Sequence, residues 1–222
     1  MTRRPRLRLT APTATAAAAL LLAGCGGGDE GAGGSGKDDR IAGAETGVSA
    51  AASPSASPAA AGRPEITLPS DVILTFTPDS TGDAVEDAIL KDNAELVRAL
   101  DAAIVAQNPR LPALEFYTEG EGAVAAQKWV RSFQDTGYTV TGTVRYFDRR
   151  VDVEPGAGKA SLTYCADESK GYNKVIKSGE VKKTEATRNS YVAYGVEVEK
   201  NAQGVWELVD IASTRGADRC QP

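Results

Sequence analysis

Histidine is absent from the 222 residues. The chain therefore has no imidazole to act as a general base, to complete a Ser-His-Asp triad or to bind a metal ion. A surplus of positive charge is also missing, since 25 Lys and Arg residues stand against 30 Asp and Glu residues. Nucleic-acid binding needs a concentrated basic surface, so this balance argues against a nucleic-acid partner.

The apolar run near the N-terminus, residues 16–23, is too short to cross a bilayer, which takes about 20 apolar residues. It follows four arginines and leads into Leu22-Ala23-Gly24-Cys25, which resembles a bacterial lipobox. This pattern predicts a lipoprotein signal peptide over residues 1–24 and a diacylglycerol on Cys25. An ordinary signal peptide with an incidental cysteine is the alternative. The Arg3-Arg4 pair leaves the general secretory and twin-arginine export routes open.

A lipid on Cys25 would decide where the protein resides. Two acyl chains give stable membrane attachment, whereas one chain gives only reversible binding. We therefore expect the protein on the outer face of the plasma membrane, with the bilayer as its partner through Cys25.

Aromatic residues are missing from the first 75 positions, and all 13 lie between Phe76 and Trp206. Gly, Ala, Ser and Pro fill 27 of the 37 positions from 26 to 62. Such a segment cannot bury enough apolar surface to offset its ordering entropy. We predict a disordered linker over residues 25–63, beginning with the lipidated cysteine, and one extracytoplasmic domain over residues 64–222.

The first part of the domain has the pattern of two helices. Residues 80–83 fit a capping box with Ser80 as the cap, and apolar residues then recur at helical spacing from Val85 to Ile104 with charged residues on the other face. Residues 118–121 repeat the capping pattern before a second apolar stripe, which consists of Ala126, Trp129, Val130 and Phe133. Gly137 suits the left-handed position that ends a helix.

From Tyr138 onward apolar and polar residues alternate, which is the period of a strand. The phase of this alternation shifts at Phe147, and such a shift predicts a bulge or sharp bend. Turn residues separate the later strands, and residues 71–77 read as an edge strand or an extended lead-in. We expect an α+β domain whose N-terminal helices pack on a bent antiparallel sheet of about four strands.

This order of helices and bent sheet is similar to the nuclear transport factor two-like fold, a cone with a pocket between helix and sheet. The chain also resembles a family of actinobacterial secreted lipoproteins over residues 83–222. The segments that carry this resemblance are Phe116–Gly120, Gly137–Gly142, Cys165–Asp167, Gly204–Trp206 and Cys220. The resemblance implies a fold and a location, and it transfers no catalytic residues.

Cys165 and Cys220 remain once Cys25 is lipidated. An even pair in an oxidising compartment favours a disulfide. A pair of reactive thiols is the rival interpretation, and no Cys-x-x-Cys motif supports it.

Two functions remain open. We expect a non-enzymatic module of the cell envelope that binds a small ligand or an envelope protein, with no cofactor and no metal. The alternative is a small pocket enzyme that uses carboxylate and tyrosine chemistry, with Tyr146, Asp148 and Asp210 as candidates.

One charge feature stands apart in this acidic chain. Residues 170–188 hold six Lys and Arg residues against two Glu residues. Lys174, Lys177, Lys182 and Lys183 could contact anionic lipid headgroups or an anionic wall polymer. A solvated hairpin is the alternative.

Overall fold

The computed structural model describes residues 62–156 and 158–222. The predicted signal peptide, Cys25 and almost all of the predicted linker lie outside this part of the chain. Within it, no helix is both long and apolar enough to cross a membrane.

Three α-helices come early in the domain, and they are α1 (Ala84–Val105), α2 (Pro112–Phe116) and α3 (Gly120–Thr136). Asp83 caps α1, because its carboxylate accepts hydrogen bonds from the backbone N–H groups of Val85 and Glu86 at 2.8 and 3.0 Å. The prediction of Ser80 as the cap is therefore wrong. The Ser80 hydroxyl instead donates to Asp87 at 2.8 Å.

The second predicted helix is confirmed as α3, although its cap differs. No side chain caps α3, since the Thr118 hydroxyl donates back to the Leu114 carbonyl at 2.9 Å. Gly137 ends the helix at a φ of 69°, the left-handed conformation that its sequence position predicted. The short α2 begins at a proline and was not predicted.

Six strands form one sheet in the order β1-β2-β3-β5-β6, with β4 paired to β3. The strands span Val72–Phe76, Tyr138–Val153, Lys159–Val175, Val181–Lys182, Tyr191–Lys200 and Trp206–Arg215, numbered β1 to β6. The predicted antiparallel pairing is confirmed from β2 to β6, but the sheet is mixed and has six strands instead of about four. Residues 71–77 do supply an edge strand, but it runs parallel to β2. The polar residues after Asp167 continue β3.

The predicted bend in β2 is confirmed. Its register against β3 shifts between Thr143 and Arg145, and again between Phe147 and Arg150. Asp148 lies at the second shift with a φ of 50°. The shift places Arg149 inside the domain at 3% exposure. There its guanidinium donates to the Pro78 carbonyl at 3.0 Å and to the Asn93 side chain at 3.1 Å, which ties β2 to α1.

The hydrophobic core lies between the helices and one face of the sheet. Its fully buried members come from both layers and include Ile89, Leu90, Ile104, Leu114, Val130, Leu162, Val196 and Leu208. In the second apolar stripe of the sequence, Ala126 and Val130 are buried, whereas Trp129 is 48% exposed.

Cys165 on β3 and Cys220 near the C-terminus lie at disulfide distance, with their Cα atoms 5.5 Å apart. The predicted pairing is confirmed. Both residues are fully buried, so the disulfide joins the end of the chain to the middle of the sheet.

Candidate active site

A cavity of about 550 Å³ lies between the helices and the sheet. This volume falls within the range of small-molecule sites. One wall is apolar, and α1, α3, β1 and β2 contribute to it with Val72, Leu74, Leu100, Ile104, Trp129, Phe133, Val140 and Val144. The remaining wall is polar and includes side chains of β3, β5 and β6 and the segment 182–190.

Asp101 is a carboxylate on the apolar side of this cavity. It lies on α1 between Leu100 and Ile104, which also line the cavity. Among residues 62–156 and 158–222 no side chain or backbone N–H donates a hydrogen bond to it, and no cation pairs with it. Burial raises the pKa of Asp101 to about 7, and the charge of Glu168 contributes in the same direction. Asp101 can therefore accept or release a proton near neutral pH.

Tyr146 lines the same cavity from the sheet. Its position in β2 pairs with Phe76 of β1, and the two rings stack with their centroids 5.0 Å apart. Burial raises the pKa of Tyr146 well above its usual value, and the nearby charge of Asp101 raises it further. The phenol therefore stays protonated and can donate a hydrogen bond to an oxygen atom in the cavity.

The polar wall contains an ion pair. Arg215 of β6 donates to the Glu168 carboxylate at 2.7 Å and to the Asn189 carbonyl at 2.8 Å. Tyr194 lies beside this pair, and burial together with the Glu168 charge raises its pKa. Glu168 is thus held in place close to both Asp101 and Tyr194.

The structure brings one of the three predicted acid-base candidates to the cavity. Tyr146 lines it, whereas Asp148 and Asp210 do not. The backbone turn at the second β2 bulge directs Asp148 to an ion pair with Arg150 at 2.8 Å. Asp210 is exposed on β6.

Sequence reasoning missed Asp101 because the charged residues of α1 were all assigned to its outer face. The spacing carried a signal, since Asp101 follows Val97 by four residues and precedes Ile104 by three. These offsets place a helical residue on the same face as its neighbours. A carboxylate within an apolar stripe is therefore a mark of a buried or functional site.

The described residues contain no group of three or more His, Cys, Asp or Glu residues arranged to hold a metal ion. The side chains that line the cavity supply acid-base groups.

No known family model matches the chain, and no curated protein matches it. The domain is similar in structure to a ketosteroid isomerase-like protein from Erwinia carotovora atroseptica SCRI1043, at 15% identity and a TM-score of 0.39, covering 58% of this chain and 93% of that chain. It is also similar to the intermembrane space region of the chloroplast protein ARC6, at 13% identity and a TM-score of 0.36, covering 58% and 97%.

A third similar structure is a proposed ketosteroid isomerase from Shewanella frigidimarina NCIMB 400, at 14% identity and a TM-score of 0.34, covering 59% of this chain and 98% of that chain. We take no residue role from these likenesses. The actinobacterial lipoprotein part of the resemblance stays a prediction.

The prediction that the protein is not an enzyme requires correction. Two of the three similar structures carry isomerase names.

Proposed function

We propose that the domain is a small enzyme whose cavity performs acid-base chemistry, with Asp101 as the proton acceptor and Tyr146 as the hydrogen-bond donor. The observation that carries this proposal is the Asp101 carboxylate. It lies unpaired within the described residues on an apolar wall, and its pKa is raised to about 7. A general base works best when its pKa is close to the operating pH.

The pairing of these two groups suits proton abstraction from a carbon next to a carbonyl group. Asp101 would take the proton, and the neutral Tyr146 phenol would stabilise the negative charge that develops on the carbonyl oxygen. Because Asp101 returns the proton with equal ease at neutral pH, the same pair supports movement of a proton between two carbons. The apolar wall favours a substrate with a largely apolar body.

Proton exchange in deuterated water tests this reaction directly. We expect the protein to accelerate deuterium uptake at the α-carbon of small cyclic ketones, followed by NMR. Asp101→Asn should reduce the rate by about 100-fold or more, since general bases contribute about 10² to 10⁴. Tyr146→Phe should reduce it by a similar factor, because loss of one donor to the oxyanion costs about 10² to 10³.

Asp210→Asn is the matched control, because it removes an exposed carboxylate that does not line the cavity. It should leave the exchange rate unchanged. Equal rates in the Asp101 and Asp210 variants would contradict the assignment of Asp101 as the base. A carboxyl carbon titration that gives Asp101 an ordinary pKa near 4 would contradict it as well.

The location of this enzyme is a proposal from the sequence, supported by the lipobox at residues 22–25. Cys25 lies outside the described residues. Cys25→Ser should move the protein from the membrane fraction to the medium, or leave it with an uncleaved signal peptide, because no diacylglycerol can be attached. Fractionation and mass spectrometry check this, and an unchanged mass and distribution would show that Cys25 is not the lipid site.

A further inference from the structure

The strongly basic part of the chain forms a defined hairpin. Residues 173–183, here named the basic hairpin, comprise the end of β3, a tight turn and β4. Lys174 pairs in register with Val181, and the Val175 N–H donates to the Glu180 carbonyl at 2.8 Å. The hairpin is also fixed to the helical layer, because the Ile176 N–H donates to the Gly137 carbonyl at 3.1 Å.

Positive charge dominates the basic hairpin. It carries Lys174, Lys177, Lys182 and Lys183, and Glu180 is its one carboxylate. Lys182 pairs with Glu180 at 2.7 Å, and Lys174 pairs with Asp71 of the neighbouring segment at 2.9 Å. Within the described residues Lys177 and Lys183 have no ion pair, and both are exposed.

An apolar side chain lies among these lysines. Ile176 is 46% exposed, directly before Lys177 and two residues after Lys174. Exposure of apolar isoleucine surface to water is unfavourable. Burial of the exposed half of this side chain in an apolar layer would therefore be favourable. The hairpin therefore combines fixed positive charge with an unburied apolar group.

We infer that the basic hairpin docks on an anionic phospholipid surface, with Lys177 and Lys183 at the phosphates and Ile176 at the boundary of headgroups and acyl chains. The free lysines supply the charge complementarity, in an otherwise acidic chain. Ile176 favours a bilayer over an anionic wall polymer, because the bilayer offers an apolar layer and a polyanion does not. This inference depends neither on the reaction in the cavity nor on the lipid at Cys25.

Vesicle binding tests the inference. The full chain with Cys25→Ser removes any acyl contribution, and it should bind vesicles of equal parts phosphatidylglycerol and phosphatidylcholine in a salt-sensitive way. Lys177→Gln together with Lys183→Gln should weaken binding by about 25-fold, since each lysine near an anionic surface contributes about fivefold. Ile176→Ser should weaken it by about fivefold.

Matched controls keep the folded domain and remove groups elsewhere. Lys91→Gln together with Lys128→Gln removes two exposed lysines on α1 and α3, and Val124→Ser removes a 54% exposed apolar side chain on α3. Both controls should bind within about twofold of the parent chain. The N-terminal arginines are present in every variant, so the differences report the hairpin.

Three outcomes would overturn the inference. If the hairpin lysine variant binds the vesicles as tightly as its lysine control, the hairpin does not contact the membrane. If the protein binds pure phosphatidylcholine vesicles as tightly as the anionic vesicles, charge attraction does not drive the binding. A loss in the lysine variant with none in Ile176→Ser would show charge attraction alone, as an anionic polymer also provides, and the bilayer assignment would be wrong.

Discussion

Asp101→Asn should raise the free energy of unfolding at pH 8 by about 4 kcal/mol. The folded domain raises the pKa of this carboxyl from 3.8 to about 7, mainly by burial. Each pKa unit corresponds to about 1.4 kcal/mol of difference between the two protonation states. At pH 8 the folded protein must therefore hold an ionised carboxylate at an unfavourable site, and the neutral amide removes this cost.

The effect should depend on pH with a definite sign. Below about pH 4 the carboxyl is protonated in both the folded and the unfolded states, so Asp and Asn should give similar stability. As the pH rises from about 4 to about 7, the unfolded state loses its proton first, and the parent protein becomes less stable relative to the variant. Above the folded pKa of Asp101 the difference should be constant.

Urea unfolding across this pH range measures the difference. Asp210→Asn, which removes an exposed carboxylate, should change stability by no more than about 0.5 kcal/mol at any pH. A stability difference between the Asp101 variant and the parent that does not vary with pH would contradict the raised pKa. Because no substrate is needed, this result is independent of the reaction proposed for the cavity.

The two longer helices, α1 and α3, and the bend in β2 could be predicted from local patterns, because each leaves a periodic trace in the sequence. The spacing from Val85 to Ile104 gave α1, and the phase shift at Phe147 marked the bulge. The same patterns missed the direction of β1. A strand of five residues carries no local mark of whether its neighbour runs parallel to it or antiparallel.

Some residues of the candidate site could also be predicted from local patterns, and others could not. Tyr146 and Asp101 each stand within an apolar pattern of a single element, so a local signal existed for both. The ion pair of Glu168 with Arg215 joins β3 to the end of β6, and β5 lies between these strands. Only the register of three strands brings these side chains together, and the sequence contains no local record of that register.

Arg63→Ala should lower the free energy of unfolding by about 3 kcal/mol. Arg63 forms an ion pair with Asp92 of α1, whose side chain has no solvent exposure, and its second nitrogen donates to the same carboxylate at 3.0 Å. The carboxylate also accepts the backbone N–H of Trp206 at 2.9 Å. Removing one partner of a buried ion pair costs about 3 to 5 kcal/mol, and the 21% exposure of Arg63 places the effect at the lower end.

Arg110→Ala is the matched control for this change. Arg110 pairs with Glu115 at 2.8 Å, but both side chains are exposed, and exposed ion pairs contribute about 1 kcal/mol or less. Arg63→Ala combined with Asp92→Leu should recover part of the lost stability, because no unpaired carboxylate then remains in the core. Denaturant unfolding of the parent, the two single variants and the double variant measures the contribution of the Arg63–Asp92 pair to stability. If Arg63→Ala costs no more than Arg110→Ala, the carboxylate of Asp92 does not depend on Arg63, and the segment before β1 contributes no stability through this pair.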